Sequence, residues 1–260
     1  MNNQIISNYY SEGNSLKHTA NKFNISIYKV KQALRETETR VRTRQEQTVL
    51  INMSRSKSVD QNFFDVINSK SAYYLGFLAA DGTVSSSRNS IKIGLSSVDR
   101  EWLEKYRRDL VIEREVLDYQ TQQGFNVSEV CFSSAKIKQE LAKYDIVPRK
   151  TYEEISMKNI PDEFKVDYIR GFFDGDGSFS WNKNTKQGMV KITSHKENIL
   201  KEIQKLFPKG KIYYFEKRDI YSFELSTIPS INFLETIYKE ADVYLKRKKD
   251  NFSEFIQFRI

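Results

Sequence analysis

The sequence has few of the side chains from which most metal clusters and nucleophilic sites are built. It contains one cysteine, Cys131, and two histidines, His18 and His195, which excludes a zinc cluster of the usual kinds. Cys131 falls in an alternating, strand-like run over residues 127–132, so we expect a buried structural thiol and not a nucleophile. No run approaches about 18 apolar residues and the N-terminus lacks a signal-peptide pattern, which predicts a soluble, cytoplasmic protein without membrane contact.

The composition favours a folded protein with a polyanionic partner. The 260 residues are 39% hydrophobic and 13% aromatic, enough for a real core in one large domain or two smaller ones. The net charge is +8, and residues 1–60 contribute +5 of it, with ten Lys or Arg against five Asp or Glu. Positive charge concentrated in this way is typical of proteins that bind polyanions.

Two acidic segments, residues 74–82 and 169–177, repeat one design 95 residues apart. Each is predicted to be the end of an apolar helix, and each carries two small residues four positions apart on one helix face. Such pairs let two helix backbones pack closely, because no large side chain separates them. The small residues are Gly76 and Ala80 in the first segment and Gly171 and Gly175 in the second.

Asp81 and Asp176 directly precede a glycine in the two acidic segments. Glycine usually follows a helix end, so each carboxylate is predicted at the last helical position, where the helix dipole disfavours it by roughly 0.3–1 kcal/mol. A fold rarely places such a cost twice without a reason. We therefore predict that Asp81 and Asp176 meet on a pseudo-two-fold axis and hold Mg²⁺ or Mn²⁺ against a phosphodiester.

Residues 1–39 are predicted to form a small all-α domain of three helices with the spacing of a helix-turn-helix. Ser15 and Ser26 are placed to cap the helices that follow them, and Asn24 occupies the turn, where a left-handed φ is needed. The outward side chains of the last helix would enter a major groove. These candidate DNA-binding residues are Ser26, Tyr28, Lys29, Lys31 and Gln32. A unit of this size could instead bind a partner or cap a neighbouring domain.

Residues 40–69 are polar and basic and show no sustained periodicity, so we interpret them as a linker. Their basic residues begin with Arg40, Arg42 and Arg44 and end with Arg55 and Lys57. Arg42 and Arg44 are candidates for contacts with DNA phosphates.

From about residue 70 the chain can be aligned with itself. Asp81 matches Asp176 at an offset of 95, and two later segments match at offsets of 97 and 93. Near-constant offsets indicate a duplication, with a first repeat over residues 70–160 and a second over residues 161–260. Each repeat is predicted to have the element order αββαββα, which makes the fold class α+β.

Alternation in the predicted strands gives each sheet one apolar face and one wet face. Lys92 and Lys191 lie opposite the apolar positions, so the wet faces are predicted to be basic and to fit a major groove. Together with Arg88 and Lys183, these lysines are the candidate DNA-binding residues of the two repeats.

The second acidic segment with its flanks, residues 168–179, resembles the motif of the LAGLIDADG homing endonucleases, in the single-chain form with two motifs. The resemblance covers about residues 70–255 and includes a basic stretch near the end of each repeat. The first segment departs from the motif at Ala79, where an acidic residue often stands. Asp81 and Asp176 nevertheless occupy the positions of the family's metal ligands.

The resemblance implies a duplicated core with saddle-shaped antiparallel sheets, preceded here by the helix-turn-helix domain. It implies hydrolysis of double-stranded DNA at a long specific target, by a monomer with internal pseudo-two-fold symmetry that acts on genomic or phage DNA. Divalent cations would be shared by Asp81 and Asp176. Lys150 and Lys248 are then candidate catalytic residues that polarise water or stabilise the phosphate, and Arg149 and Arg247 could instead be adjacent phosphate contacts.

Two other functions are open to the same scaffold. A DNA-binding transcriptional regulator could keep the duplicated core without cleaving, and an intron RNA maturase could use it to assist splicing. Retention of both aspartates favours the endonuclease, because a scaffold that only binds has little reason to keep carboxylates at two disfavoured helix ends.

Overall fold

The computed structural model describes residues 2–56, 59–150 and 153–259, and for residues 51–56 the backbone only. The chain divides into two compact units, residues 1–57 and 58–260, and each has its own hydrophobic core. None of the helices within the described ranges combines the length and the apolarity that are needed to cross a membrane.

The first unit is helical. Both predicted caps are confirmed, because the Ser15 hydroxyl accepts from the amide of His18 and the Ser26 hydroxyl from the amide of Lys29. Asn24 follows the second helix with a φ of 51°, which is the left-handed geometry predicted for it. The helices in the described part of this unit are α1 (Asn3–Ser11), α2 (Leu16–Phe23), α3 (Ile27–Glu36) and α4 (Arg44–Ser56). Their buried apolar residues are Ile6, Tyr10, Ala20, Val30, Ala33 and Leu34.

Residues 40–69 are predicted to be a linker without regular structure, but they contain the helix α4. Arg42 is bound within the first unit, where its guanidinium donates to the carbonyl oxygens of Tyr10 and Asn14 at 2.7 and 2.6 Å. It also lies 3.9 Å from the centre of the Tyr10 ring. The prediction of a phosphate contact is therefore corrected for Arg42, whose hydrogen bonds hold the segment between α3 and α4 against the end of α1. Arg44 is exposed at the start of α4.

Each repeat of the second unit forms one four-stranded antiparallel sheet, with strand order β1-β2-β4-β3 in the first and β5-β6-β8-β7 in the second. The first repeat contains α5 (Ser69–Asp81), β1 (Thr83–Val84), β2 (Ser90–Ser96), α6 (Arg100–Asp109), β3 (Leu117–Gln120), β4 (Asn126–Ser133) and α7 (Ala135–Ala142). The second contains α8 (Lys165–Asp176), β5 (Gly177–Asn182), β6 (Gln187–Ser194), α9 (Glu197–Leu206), β7 (Lys211–Phe215), β8 (Ile220–Ser226), α10 (Ile228–Tyr238) and α11 (Lys246–Arg259). The predicted α+β class is confirmed. The first repeat has the predicted order αββαββα, and the second has the same order followed by one further helix, α11.

The wet faces of the two sheets are less basic than predicted. Alternation buries Ile91 and Ile93 and leaves Lys92 outward, as expected. However, Lys92 forms an ion pair of 3.0 Å with Glu129 of β4, and Lys191 forms one of 2.8 Å with Glu224 of β8. The carboxylates were not anticipated, because they come from strands that are distant in sequence. Each pair is neutral as a whole, so these lysines do not make a basic stripe.

Candidate metal centre at the paired helix ends

Helices α5 and α8 pack against each other through the predicted small residues. A Cβ added at Gly76 would overlap the carbonyl of Tyr168, and one added at Gly171 would overlap the carbonyl of Tyr73. The Cβ added at Gly76 would also lie 2.9 Å from the backbone nitrogen of Phe172, and the one added at Gly171 would lie 2.8 Å from that of Phe77. The two contacts are exchanged by swapping the helices, as a pseudo-two-fold axis requires. The predicted close approach of the two backbones is thus confirmed.

Asp81 and Asp176 are the last residues of α5 and α8, as predicted. A Cβ at Gly175 would overlap the methyl group of Ala80 and would lie 3.5 Å from a carboxylate oxygen of Asp81. The Asp81 carboxylate therefore lies beside the last turn of α8, next to the helix end that carries Asp176.

The glycine after each aspartate has a different role from the one that the sequence pattern predicts. A glycine that ends a helix often has left-handed geometry, but Gly82 and Gly177 have φ values of −68° and −86°. A Cβ at either position would lie 2.6 Å from a carbonyl oxygen of the preceding turn, that of Leu78 or Phe173. Glycine is needed so that the chain can pass close to its own helix as it enters β1 or β5.

The two carboxylates share one electrostatic environment. Each side chain keeps solvent-exposed surface, yet the packed helix ends displace much of the surrounding water. Burial raises the pKa of Asp81, against the opposing charges of Lys248, Lys150 and Arg247. Burial and then the Asp81 charge raise the pKa of Asp176 to about 6. Two carboxylates that repel each other in this way gain stability from a shared cation.

The donor set fits a magnesium-type ion. Within the described residues, no cluster of three or more His, Cys, Asp or Glu side chains is placed to hold a metal. Mg²⁺ is commonly bound by only one or two carboxylates, with water and a substrate phosphate completing its octahedron. Asp81 and Asp176 therefore fit Mg²⁺ or Mn²⁺ bound together with a phosphate, and they do not fit a structural zinc site.

Replacing Asp176 by Asn should stabilise the metal-free protein at neutral pH. Because its pKa in the fold is about 6, against an ordinary 3.8, the folded state holds this proton more tightly than the unfolded state. The unfolding free energy therefore falls as pH rises from about 4 to 6 and stays lower above that range. Asp176→Asn should recover about 1 kcal/mol at pH 7.5 after solvent screening, and nothing at pH 4. Thermal unfolding in EDTA tests this, and an equal gain at both pH values would contradict it.

Lys150 and Lys248 lie at equivalent places, each against the C-terminal end of the acidic helix of its own repeat. The Lys150 ammonium donates to the carbonyl of Ala80 at 2.5 Å, and that of Lys248 is buried among carbonyls of α8 and β5. Both cations offset the negative end of a helix dipole, which explains how each end tolerates a carboxylate. Burial lowers the pKa of Lys150 and lowers that of Lys248 to about 8. The main acceptors of Lys248 are the carbonyls of Phe173, Asp174 and Gly177, at 2.7, 2.7 and 2.5 Å.

The two lysines should differ in their effect on stability. Lys248→Met should lower the unfolding free energy by about 3 kcal/mol, because several buried carbonyls lose a cationic donor. Lys150→Met serves as the matched variant and should cost about 1 kcal/mol, because Lys150 is half-buried and has one carbonyl acceptor. Urea unfolding of both variants measures the difference. Equal losses would show that Lys248 is not the structural member of the pair.

A cleft of about 280 Å³ opens beside Asp176 and includes Lys150 and His195. The ring Nδ1 of His195 lies 2.9 Å from the carbonyl oxygen of Asp219, so in the neutral ring Nδ1 is the donor and Nε2 the acceptor. The sequence did not indicate His195 as a site residue. At the offset of 97 its counterpart is Val98, so the duplication provides no signal for it.

A buried polar network under the site joins the two repeats. The Asp174 carboxylate accepts hydrogen bonds from the hydroxyls of Tyr73 and Tyr238 at 2.8 and 2.7 Å, and from the amide of Leu245 at 2.7 Å. The Tyr73 hydroxyl in turn accepts from the indole of Trp102. Burial raises the pKa of Asp174. This acidic residue of the motif therefore positions α8 against the first repeat and has no open side toward a substrate.

The other predicted site residues are mostly exposed. Ser26, Tyr28, Lys29, Lys31 and Gln32 are all exposed on or just before α3. Arg88 and Lys183 are exposed in the turns that join β1 to β2 and β5 to β6. Arg247 instead donates to both carboxylate oxygens of Asp99, at 2.8 and 3.0 Å, so it is engaged in an ion pair.

The sequence matches the LAGLIDADG-like domain over residues 68–111 and 163–252, more than half of the chain. The chain therefore belongs to the LAGLIDADG family, which confirms the resemblance of its two acidic segments. No curated protein sequence matches it.

The solved structures that are similar in fold include two nucleases. The LAGLIDADG homing endonuclease I-LtrWI, bound to its target DNA, is 14% identical with a TM-score of 0.51, over 76% of this chain and 90% of that one. A double mutant of I-SmaMI is 13% identical with a TM-score of 0.50, over 74% of this chain and 90% of that one.

Proposed function

We propose that the protein is a metal-dependent, site-specific endonuclease that cuts both strands of double-stranded DNA at a long target. The observation that carries the proposal is the placement of Asp81 and Asp176 at adjoining ends of two helices related by a pseudo-two-fold axis. The backbone of a DNA duplex has two-fold symmetry as well, so the same axis would offer one carboxylate to each strand. Family membership and the fold shared with I-LtrWI, a homing endonuclease bound to target DNA, support it.

We assign the following roles to the residues of the site. Asp81 and Asp176 would hold Mg²⁺ or Mn²⁺, which supplies Lewis-acid polarisation of the phosphate and lowers the pKa of a bound water. Lys150, half-buried beside both carboxylates, would donate toward the phosphate oxygens. Lys248 would hold the end of α8, because its ammonium is already surrounded by carbonyls. The wet strand faces would lie in the major groove on either side.

The proposal is tested by incubating the full chain with a randomised duplex library, with Mg²⁺ or with EDTA, and sequencing the new DNA ends. We expect cutting at one long defined site in Mg²⁺ and none in EDTA. Selective binding without Mg²⁺-dependent cutting would make the protein a regulator. Preference for structured intron RNA over duplex DNA would make it a maturase.

We further propose that residues 1–39 are a helix-turn-helix reader that extends the recognised site, followed by a connecting segment and the two repeats over residues 70–160 and 161–260. The exposed residues of α3 support this role, because Lys and Gln are capable base readers and Tyr28 is 73% exposed.

Deletion of residues 1–57 should weaken DNA binding by about tenfold or more and shorten the recognised site, because the phosphate contacts of that unit are lost. Metal-dependent cutting should persist at high enzyme concentration, since the second unit has its own core. Binding titrations and sequencing of cut sites measure both effects. A truncated protein with unchanged affinity and site length would remove the reader role.

A further inference from the structure

Two lysine–glutamate pairs lie at related positions on the wet faces of the two sheets. Lys92 is directly opposite Thr83 in the β1–β2 register, and Lys191 is directly opposite Ser178 in the β5–β6 register. Thr83 and Ser178 each follow their motif aspartate by two residues. The two lysines therefore occupy equivalent register positions under the pseudo-two-fold axis, each opposite the second residue after its motif aspartate.

The glutamates come from the neighbouring strand in both sheets. Glu224 is directly opposite Lys191, whereas Glu129 is opposite Gly94, two residues beyond Lys92. The ion pairs are 3.0 Å for Lys92 with Glu129 and 2.8 Å for Lys191 with Glu224. The lysine side chains are 44% and 39% exposed and the glutamates 16% and 18%, so each pair presents its ammonium to solvent.

Neither folding nor phosphate binding accounts for these pairs. Exposed ion pairs add little to stability, so two of them at equivalent lysines are not explained by the fold. A lysine intended for a phosphate would lose most of its attraction to a carboxylate 3 Å away, and that carboxylate would repel the phosphate. The remaining outward positions of β2 and β4 carry no charge; they are Ser90, Gly94, Ser96, Val127, Cys131 and Ser133.

A donor beside an acceptor matches the edge of a G·C base pair. In the major groove, guanine presents the acceptors N7 and O6, and cytosine presents the donor N4–H. Lysine donates to the first and glutamate accepts from the second. A preformed pair of this kind would lose little side-chain freedom on binding, because each group already orients the other.

We propose that each lysine–glutamate pair reads one G·C base pair, with Lys92 or Lys191 on the guanine and Glu129 or Glu224 on the cytosine. The target then contains two G·C pairs at equal distances from its centre, with the two guanines on opposite strands, as the pseudo-two-fold axis requires. This specificity rests on the proposed function, since it assumes that the wet faces enter the major groove of duplex DNA.

The test is selection of bound duplexes from a randomised library by the full chain in EDTA, for wild type, Lys92→Gln and Lys191→Gln. Glutamine has no charge with which to favour the guanine acceptors, so each variant should lower the preference for G·C by about tenfold at one position only. No preference for A·T should replace it, because the retained glutamate would face the thymine O4 acceptor. The two changed positions should be equally far from the centre. Lys183→Gln is the matched control, because an exposed turn lysine on phosphate should weaken binding to all sequences alike.

A second measurement uses the selected wild-type site with 7-deazaguanine in place of either guanine. Loss of N7 should weaken binding by the wild type several-fold and binding by Lys191→Gln less at its own position, because the charged donor to N7 is already absent there. Unchanged base preferences in the lysine variants, or a uniform loss like that of Lys183→Gln, would overturn the inference while cleavage remained. A wild type that enriches no sequence would instead refute the proposed function and this inference together.

Discussion

Asp81→Asn and Asp176→Asn should each lower the rate of Mg²⁺-dependent DNA cleavage by more than about 1,000-fold, because a metal-bound phosphate gains several kcal/mol of charge stabilisation. Each substitution keeps the shape of the side chain and removes one of the two carboxylates that we propose as metal ligands. Binding of uncut target in EDTA should be unchanged or tighter, since a negative charge beside the phosphates is removed. Cleavage under single-turnover conditions and binding titrations measure the two effects separately.

The control for this experiment is Asp162→Asn. Asp162 is an exposed carboxylate before the start of α8, about 20 Å along the helix from Asp176. The Asp162→Asn variant should cleave DNA at the wild-type rate. Cleavage retained by both motif variants would exclude a carboxylate-bound metal, and loss of binding in EDTA would indicate disturbed packing and not lost chemistry.

Gly171→Ala should strongly destabilise the protein. The new Cβ would overlap the Tyr73 carbonyl of the facing helix, and backbone cannot move aside as a flexible side chain can. We expect a loss of about 3 kcal/mol or more, at the upper end of the range for overpacked cores. Because α5 and α8 carry the two aspartates, cleavage should fall even at temperatures where the variant stays folded.

Gly94→Ala is the matched control for the helix contact. Its added Cβ would meet no atom closer than 3.8 Å, so its melting temperature should stay within a few degrees of the wild type. Thermal and urea unfolding of the two variants measure the contrast. A Gly171→Ala protein as stable as Gly94→Ala would mean that the helices can separate without cost.

The features that could be predicted from the sequence are those that depend on residues close together in the chain. The caps at Ser15 and Ser26, the left-handed Asn24 and the last-turn positions of Asp81 and Asp176 all depend on a few neighbouring residues. The duplication added the pairing of the two acidic helices, because equal offsets imply equal roles.

The features that could not be predicted join distant parts of the chain. Tyr73 and Asp174 are 101 residues apart, and Lys248 reaches carbonyls more than 70 residues before it. Neither periodicity nor spacing reports which buried polar groups meet across such distances. The same reason explains the error on the wet faces, where the lysines were visible in their own strands and the glutamates of the neighbouring strands were not.

The buried tyrosines Tyr73 of α5 and Tyr168 of α8 show a difference between the two repeats. Tyr73 and Tyr168 are equivalent at the offset of 95, and the Tyr73 hydroxyl donates to Asp174. Among the described residues the Tyr168 hydroxyl has no hydrogen-bond partner. The position equivalent to Asp174 in the first repeat is Ala79, which has no carboxylate to accept from Tyr168. A dimer of two second repeats would give both tyrosines a carboxylate. The halves are therefore no longer interchangeable, and their covalent fusion permits this asymmetry, since each half needs to fit only the other.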